Sequence, residues 1–109
     1  MTTEITRLDQ IIEETQARVA AAMQAKNRAY NAHCSAIQLR NEILDQLVTN
    51  PDRADELAEV DRLVESSRAA HKALEATVNE LRRDMKPWIS RKGDLEQRAR
   101  NQARAEGVF

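Results

Sequence analysis

The fold is decided by residues 57–88, which read LAEVDRLVESSRAAHKALEATVNELRRDMKPW. Apolar residues recur here at alternating steps of three and four, with only Ser67 and His71 as polar exceptions. The positions in this series are Leu57, Val60, Val64, Ser67, His71, Leu74, Val78, Leu81, Met85 and Trp88. A heptad pattern is typical of a left-handed coiled coil, in which one helix packs along another. The stretch therefore predicts a long helix that needs a helical partner.

The residues just before this helix predict a turn. Asn50 is a good N-cap, Pro51 fits the first position of a helix, and Asp52 and Asp55 suit the positive end of the helix dipole. A connection of two or three residues between long helices makes them antiparallel. We therefore expect a helical hairpin, with one helix at about residues 3–49, a turn at 49–52 and a second helix at about 51–86.

A proline closes the second predicted helix. Pro87 has no amide hydrogen and crowds the preceding turn, so we expect a kink or a break of the helix there. Residues 87–109 then form a short basic C-terminal helix or tail that follows the hairpin of residues 1–86. We expect the final Phe109 to be disordered or to anchor in a groove of a partner or of a second copy.

Composition supports an all-α fold. The chain has 109 residues, with 17 Lys+Arg against 18 Asp+Glu, two Gly, two Pro and one each of Trp, Tyr and Phe. Sheet proteins need more aromatic residues and more turn-forming Gly. One Cys excludes a disulfide within the chain. The longest apolar run, at residues 19–23, is far too short to span a membrane, so we expect a soluble, cytoplasmic protein with no membrane partner.

The first predicted helix carries two apolar strips side by side. The strip assigned to the hairpin contact comprises Ile5, Leu8, Ile12, Val19, Met23, Tyr30, Cys34, Ile37, Leu44 and Val48. The second comprises Ile11, Ala22, Ala25, Ala29, Ala32, Ala36, Leu39, Ile43 and Leu47. A hairpin covers one strip, so we expect the second, including Ile43, to be exposed on a monomer. This predicts a homo-oligomer, most simply a dimer of hairpins that assembles into a four-helix bundle.

Polar residues interrupt the apolar series of the first and of the second predicted helix at the same level. With the turn at residue 51, Cys34 faces about residue 68 and Tyr30 faces about residue 72. The predicted layer comprises Tyr30, His33, Cys34, Ser67 and His71. We favour a layer that fixes register and oligomer number.

Three alternatives for this layer remain open. They are a pocket for a small ligand, a zinc site built from His33, Cys34 and His71, and a Cys34 nucleophile activated by a histidine. Because neighbouring residues on a helix point in different directions, and no His-x3-His or Cys-x2-Cys pair is present, we expect no metal.

Charge is divided unequally along the chain. Residues 1–80 carry a net charge of −5, whereas residues 81–109 carry +4. The candidate contacts for an anion or a nucleic acid are Arg82, Arg83, Lys86, Trp88, Arg91, Lys92, Arg98 and Arg100. A basic stretch of this size is also typical of an ordinary solvated helix face, and Trp88 continues the heptad.

Catalytic and cofactor motifs are absent from the sequence. There are no dinucleotide-binding glycines, no P-loop, no calcium loop and no His-Glu-x-x-His. We therefore expect no enzyme and no cofactor, but a non-catalytic oligomeric helical protein that acts through protein–protein interaction as an adaptor, inhibitor or scaffold. The alternative is a binder of an anion, nucleotide or nucleic acid that uses the basic C-terminal segment or a pocket between protomers.

Overall fold

The computed structural model describes residues 2–107, and Phe109 lies outside them. Helix α1 spans Thr2–Gln46, a single 3-10 turn spans Pro51–Arg53, and helix α2 spans Ala54–Ala105. No strand occurs in this part of the chain. The predicted all-α class with two long helices is confirmed.

Residues 22–77 form one compact unit that contains the turn. The backbone amide of Asn50 donates a 2.7 Å hydrogen bond to the carbonyl of Gln46, which ends α1. Pro51 then starts the 3-10 turn, as its fixed φ angle favours. Across the unit Tyr30 meets His71, and Arg40 meets Asp61. The contact residues of α2 have lower numbers as those of α1 have higher ones, so the two helices run antiparallel.

The second compact unit combines both ends of the described chain, residues 2–21 and 78–107. Its buried apolar side chains are Ile12 and Val19 from α1 and Val78 and Leu95 from α2. Two ion pairs join the helices at its surface: Glu4 with Arg91 at 3.3 Å, and Asp9 with Lys92.

Helix α1 contacts α2 through a strict heptad that differs from the predicted strip. The buried or half-buried residues at this spacing are Ile5, Leu8, Ile12, Thr15, Val19, Ala22, Lys26, Ala29, His33, Ala36, Arg40, Ile43 and Leu47. These positions, which we call the α1 inner seam, follow one another at alternating steps of three and four, and Asp9, Ile11 and Ala25 beside them are also half-buried. The predicted strip agrees with them as far as Val19 and then departs, because it followed the large apolar residues rather than the heptad.

The assignment of the two apolar strips is therefore wrong after Val19. Ala36 and Ile43, expected to be exposed, are only 2% and 1% exposed, whereas Tyr30 and Ile37 are 54% and 39% exposed. Alanine has almost no side chain, so a strip of alanines lets two helix backbones approach closely. The larger side chains are left at the flank of this close contact.

The expected break at Pro87, and with it a separate C-terminal helix, is also wrong. Helix α2 passes through Pro87 and Gly93 to Ala105, so the predicted division at residue 86 falls within a helix. A proline inside a helix costs about 3 kcal/mol, since one hydrogen bond is lost. The heptad continues beyond Trp88 through half-buried Lys92 to Leu95, which is 2% exposed. Packing of these residues in the unit opposes the local cost of the proline.

We predict that Leu95→Ala lowers the free energy of unfolding by about 2–4 kcal/mol, because it empties a fully packed position. Urea denaturation followed by circular dichroism measures this. The matched control is Ile89→Ala, also on α2. Its side chain is exposed, so the expected loss of free energy of unfolding is under about 1 kcal/mol. Equal small losses for both variants would mean that the C-terminal part of α2 is not packed.

Candidate functional site

The predicted polar layer lies within the unit of residues 22–77. Tyr30, His33 and Cys34 belong to α1, and Ser67 and His71 belong to α2. The structure brings them together in pairs rather than as one cluster. His33 contacts Ser67, the Tyr30 ring contacts the His71 ring, and Cys34 interacts with Tyr30 on the exposed side of α1.

His33 is held by the backbone of α2. Its Nδ1 lies 3.2 Å from the Val64 carbonyl oxygen and 3.2 Å from Ser67 Oγ. A carbonyl only accepts, so Nδ1 carries the proton and donates to Val64. The Ser67 hydroxyl also donates to the Val64 carbonyl, at 3.1 Å, which leaves its oxygen to accept from His33. This closed triangle satisfies the buried Ser67 and ties α1 to one level of α2.

Tyr30 and Cys34 occupy the solvent side of the layer. The ring centroids of Tyr30 and His71 lie 5.7 Å apart at 50°. A hydrogen bond with the Cys34 thiol, followed by charge repulsion from its thiolate form and then desolvation, raises the pKa of Tyr30. Both side chains are exposed, so this pair lies at the surface and not in an enclosed pocket.

A groove runs beside His33 between the two helices. It is lined by His33, Ile37, Arg40, Asp61, Val64, Glu65 and Arg68. The Nε of Arg40 donates to the Asp61 carboxylate at 2.5 Å across it. Four of the seven lining residues are charged, and Arg40 and Asp61 among them form an ion pair, so the groove lacks the apolar character usual for small-ligand sites.

The zinc and nucleophile alternatives find no assembled site. Within the described residues no three His, Cys, Asp or Glu side chains are placed to hold a metal ion. Both histidines have other partners, namely Ser67 with Val64 for His33, and Tyr30 for His71. Cys34 is thus next to a phenol rather than an imidazole base.

The basic candidates are separated into two groups. Arg91 and Lys92 form ion pairs with Glu4 and Asp9 of α1, and the hydrogen bond with Asp9 raises the pKa of Lys92 against the opposing effect of desolvation. Trp88 is half-buried in the heptad. The remaining candidates are exposed on α2: Arg82, Arg83, Lys86, Arg98 and Arg100. The surface predicted to contact an anion or a nucleic acid is therefore smaller than the number of basic candidate residues indicates.

An exposed heptad on α1 is the feature that the sequence analysis misassigned. Asn27, Tyr30, Cys34, Ile37, Asn41 and Leu44 follow one another at alternating steps of three and four, and all are exposed. We call these six residues the α1 outer seam. Met23 and Val48, also exposed, extend the spacing at its two ends. Tyr30, Cys34, Ile37 and Leu44 belong to the strip that the apolar pattern assigns to the hairpin contact, whereas the polar Asn27 and Asn41 lie outside that strip.

Comparison with protein-family models, curated proteins and solved structures found no match to this chain. Neither described helix has a stretch long and apolar enough to cross a bilayer. The functional argument therefore rests on the geometry of the helices themselves.

We predict that His71→Leu raises the free energy of unfolding by about 1 kcal/mol, because it places an apolar side chain at a half-buried heptad position now held by a polar ring. Urea denaturation measures the change. Added zinc should leave the melting temperature of the unmodified protein unchanged. Stabilisation by zinc would contradict a purely structural role for the layer. A destabilised His71→Leu variant would contradict the expectation that the polar ring costs stability at this position.

Proposed function

We propose that this chain is a non-catalytic helical protein that acts through protein–protein contacts as a homo-oligomer of two or more copies. The observation that carries the proposal is the α1 outer seam. Its Tyr30, Ile37 and Leu44 remain between about one third and one half exposed in one contiguous strip. Exposed apolar strips of this kind mark interaction surfaces.

The accessible surface supports a need for partners. It amounts to 8080 Å², whereas a typical folded monomer of 12.4 kDa exposes about 6,000 Å². Among the described residues only seven apolar side chains are buried. Two helices in contact enclose little core, so a second chain is the most direct source of further burial.

The charged surface supports an adaptor, inhibitor or scaffold. Residues 41–61, which include the turn, carry seven acidic residues and only Arg53 as a basic one. Exposed charge of one sign steers the approach of a partner with opposite charge more than it adds affinity. We propose that the assembled copies form a helical bundle and present these surfaces to a second protein. The cytoplasmic location stays a prediction.

A second candidate function is the binding of an anion, nucleotide or nucleic acid. The observation that favours it is the continuity of α2 through Pro87, which places exposed Arg83, Lys86, Arg98 and Arg100 on one helix. Assembly would bring several copies of this basic surface together and raise its apparent affinity.

We predict that the protein sediments and scatters light as a species of at least twice 12.4 kDa at micromolar concentration, because the α1 outer seam is covered by another chain. Multi-angle light scattering after size exclusion, with analytical ultracentrifugation over a dilution series, measures the mass. A monomer throughout the series would count decisively against self-association.

For the second candidate, we expect a labelled single- or double-stranded nucleic acid to bind at low salt, with affinity falling as salt rises because counterions are released. Gel shift or fluorescence anisotropy measures binding. Arg98→Glu should weaken it several-fold, whereas Arg28→Glu, an exposed change on α1, serves as the control. Absence of binding even at low salt would exclude this function.

A further inference from the structure

We propose that the α1 outer seam binds a second copy of this chain with the two α1 helices parallel and in register. The inference rests on the proposed self-association and identifies its surface and orientation. The seam lies wholly within the unit of residues 22–77. It is a second heptad on α1, offset by one residue from the α1 inner seam that contacts α2.

The spacing assigns each residue of the seam to a coiled-coil position. A step of three leads from position a to position d, and a step of four leads from d to the next a. Asn27, Cys34 and Asn41 therefore occupy a positions. Tyr30, Ile37 and Leu44 occupy d positions. The seam thus has an apolar d layer and a largely polar a layer.

The two asparagines favour a parallel, in-register pair. In that arrangement each a residue meets the same residue of the second copy, so the amide of Asn27 or Asn41 meets an identical amide and can hydrogen-bond with it. In an antiparallel pair each a residue meets a d residue instead. The amides would then face Tyr30, Ile37 or Leu44, and a buried amide against an apolar side chain lacks a partner.

The flanking charges favour the same orientation. Lys26, His33 and Arg40 occupy the g positions, and Asp45 occupies an e position. A parallel pair places each g residue near the e residue of the next heptad in the other copy, so Arg40 meets Asp45. An antiparallel pair places the g side against itself and brings Lys26, His33 and Arg40 of both copies together.

Arg40 has the capacity for this additional contact. Its Nε bonds to Asp61 within the chain, and its side chain is still 42% exposed. A guanidinium has further N–H donors on its terminal nitrogens, which are suited to a second carboxylate. Asp45 is exposed.

The first part of the test measures the surface with two matched substitutions. Ile37 and Leu39 are equally exposed, at 39%, and lie on the same helix, but only Ile37 belongs to the seam. We expect Ile37→Asp to weaken dimerisation at least about 100-fold, because a carboxylate enters an apolar layer, and Leu39→Asp to leave it unchanged. Analytical ultracentrifugation measures the dissociation constant, and circular dichroism checks that the helices persist.

The second part measures orientation by disulfide formation. In a Cys34→Ser background, the single substitutions Asn27→Cys and Leu44→Cys each place one thiol at one end of the α1 outer seam, the first at an a position and the second at a d position. A parallel, in-register pair predicts that each variant forms a disulfide-linked dimer with itself under mild oxidation, whereas Leu39→Cys does not. An antiparallel pair places each a residue against a d residue, so it would instead link residue 27 of one copy to residue 44 of the other in a mixture of the two variants.

The outcomes separate this inference from the proposed function. A dimer that survives Ile37→Asp overturns the surface, and a disulfide between residues 27 and 44 overturns the orientation, while self-association stands in both cases. A wild-type monomer overturns both. Selective loss of the dimer with Ile37→Asp, together with self-linking at both ends of the seam, supports the proposal.

Discussion

The face that α1 turns toward α2 controls the rest of this structure. In the middle of the chain that face alternates alanines with Lys26, His33 and Arg40 before it reaches Ile43, and the small Ala36 is almost completely buried against α2. Helix α1 can pack only one of its faces against α2. The larger residues Tyr30, Ile37 and Leu44 are consequently placed beside the contact rather than in it, and they remain exposed.

Small side chains make a close contact but a poorly specified one. One alanine fits against a helix much as the next does, so a strip of alanines allows the two helices to slide by a heptad at little cost. The polar contacts remove this ambiguity. His33 finds its two acceptors only at the level of Val64 and Ser67, and Arg40 finds Asp61 one heptad further toward the turn. The polar layer therefore supplies register where the apolar contact does not.

The contrast between the two helices shows what the sequence can predict. The heptad of α2 can be recognised in the sequence because its a and d positions are nearly all large and apolar. Counting equal numbers of residues from a turn at residue 51 places Tyr30 opposite residue 72, one residue from its observed partner His71. The inner seam of α1 is hidden, because Thr15, Lys26, His33 and Arg40 occupy positions in it. The apolar pattern alone then favours the strip that contains Tyr30, Ile37 and Leu44, because that strip has the larger side chains. The pattern carries no information on how closely the two backbones approach.

Pro87 shows the same limit at the level of local energies. The free energy that a proline costs a helix comes from its missing amide hydrogen and its ring. The residues next to Pro87 in the sequence, taken alone, therefore predict a break. Whether the helix continues depends on Leu95 and on residues of α1 that are distant in sequence, such as Ile12. No local pattern contains that information. The exposed surfaces are harder still to predict from the sequence. The α1 outer seam can be recognised as exposed only once the residues of α1 that pack against α2 are known.

Three residues of the α1 inner seam also flank the α1 outer seam, and they link the fold of one chain to the proposed pairing of two. Lys26, His33 and Arg40 lie in the inner seam toward α2 and also flank the outer seam. The bond from Arg40 to Asp61 holds the guanidinium near the place where Asp45 of a second copy would lie. A slip of α2 along α1 would move Asp61 away from Arg40 and release the guanidinium from its present position. In the proposed pairing, the register within the hairpin would therefore be coupled to the register between copies through this one side chain.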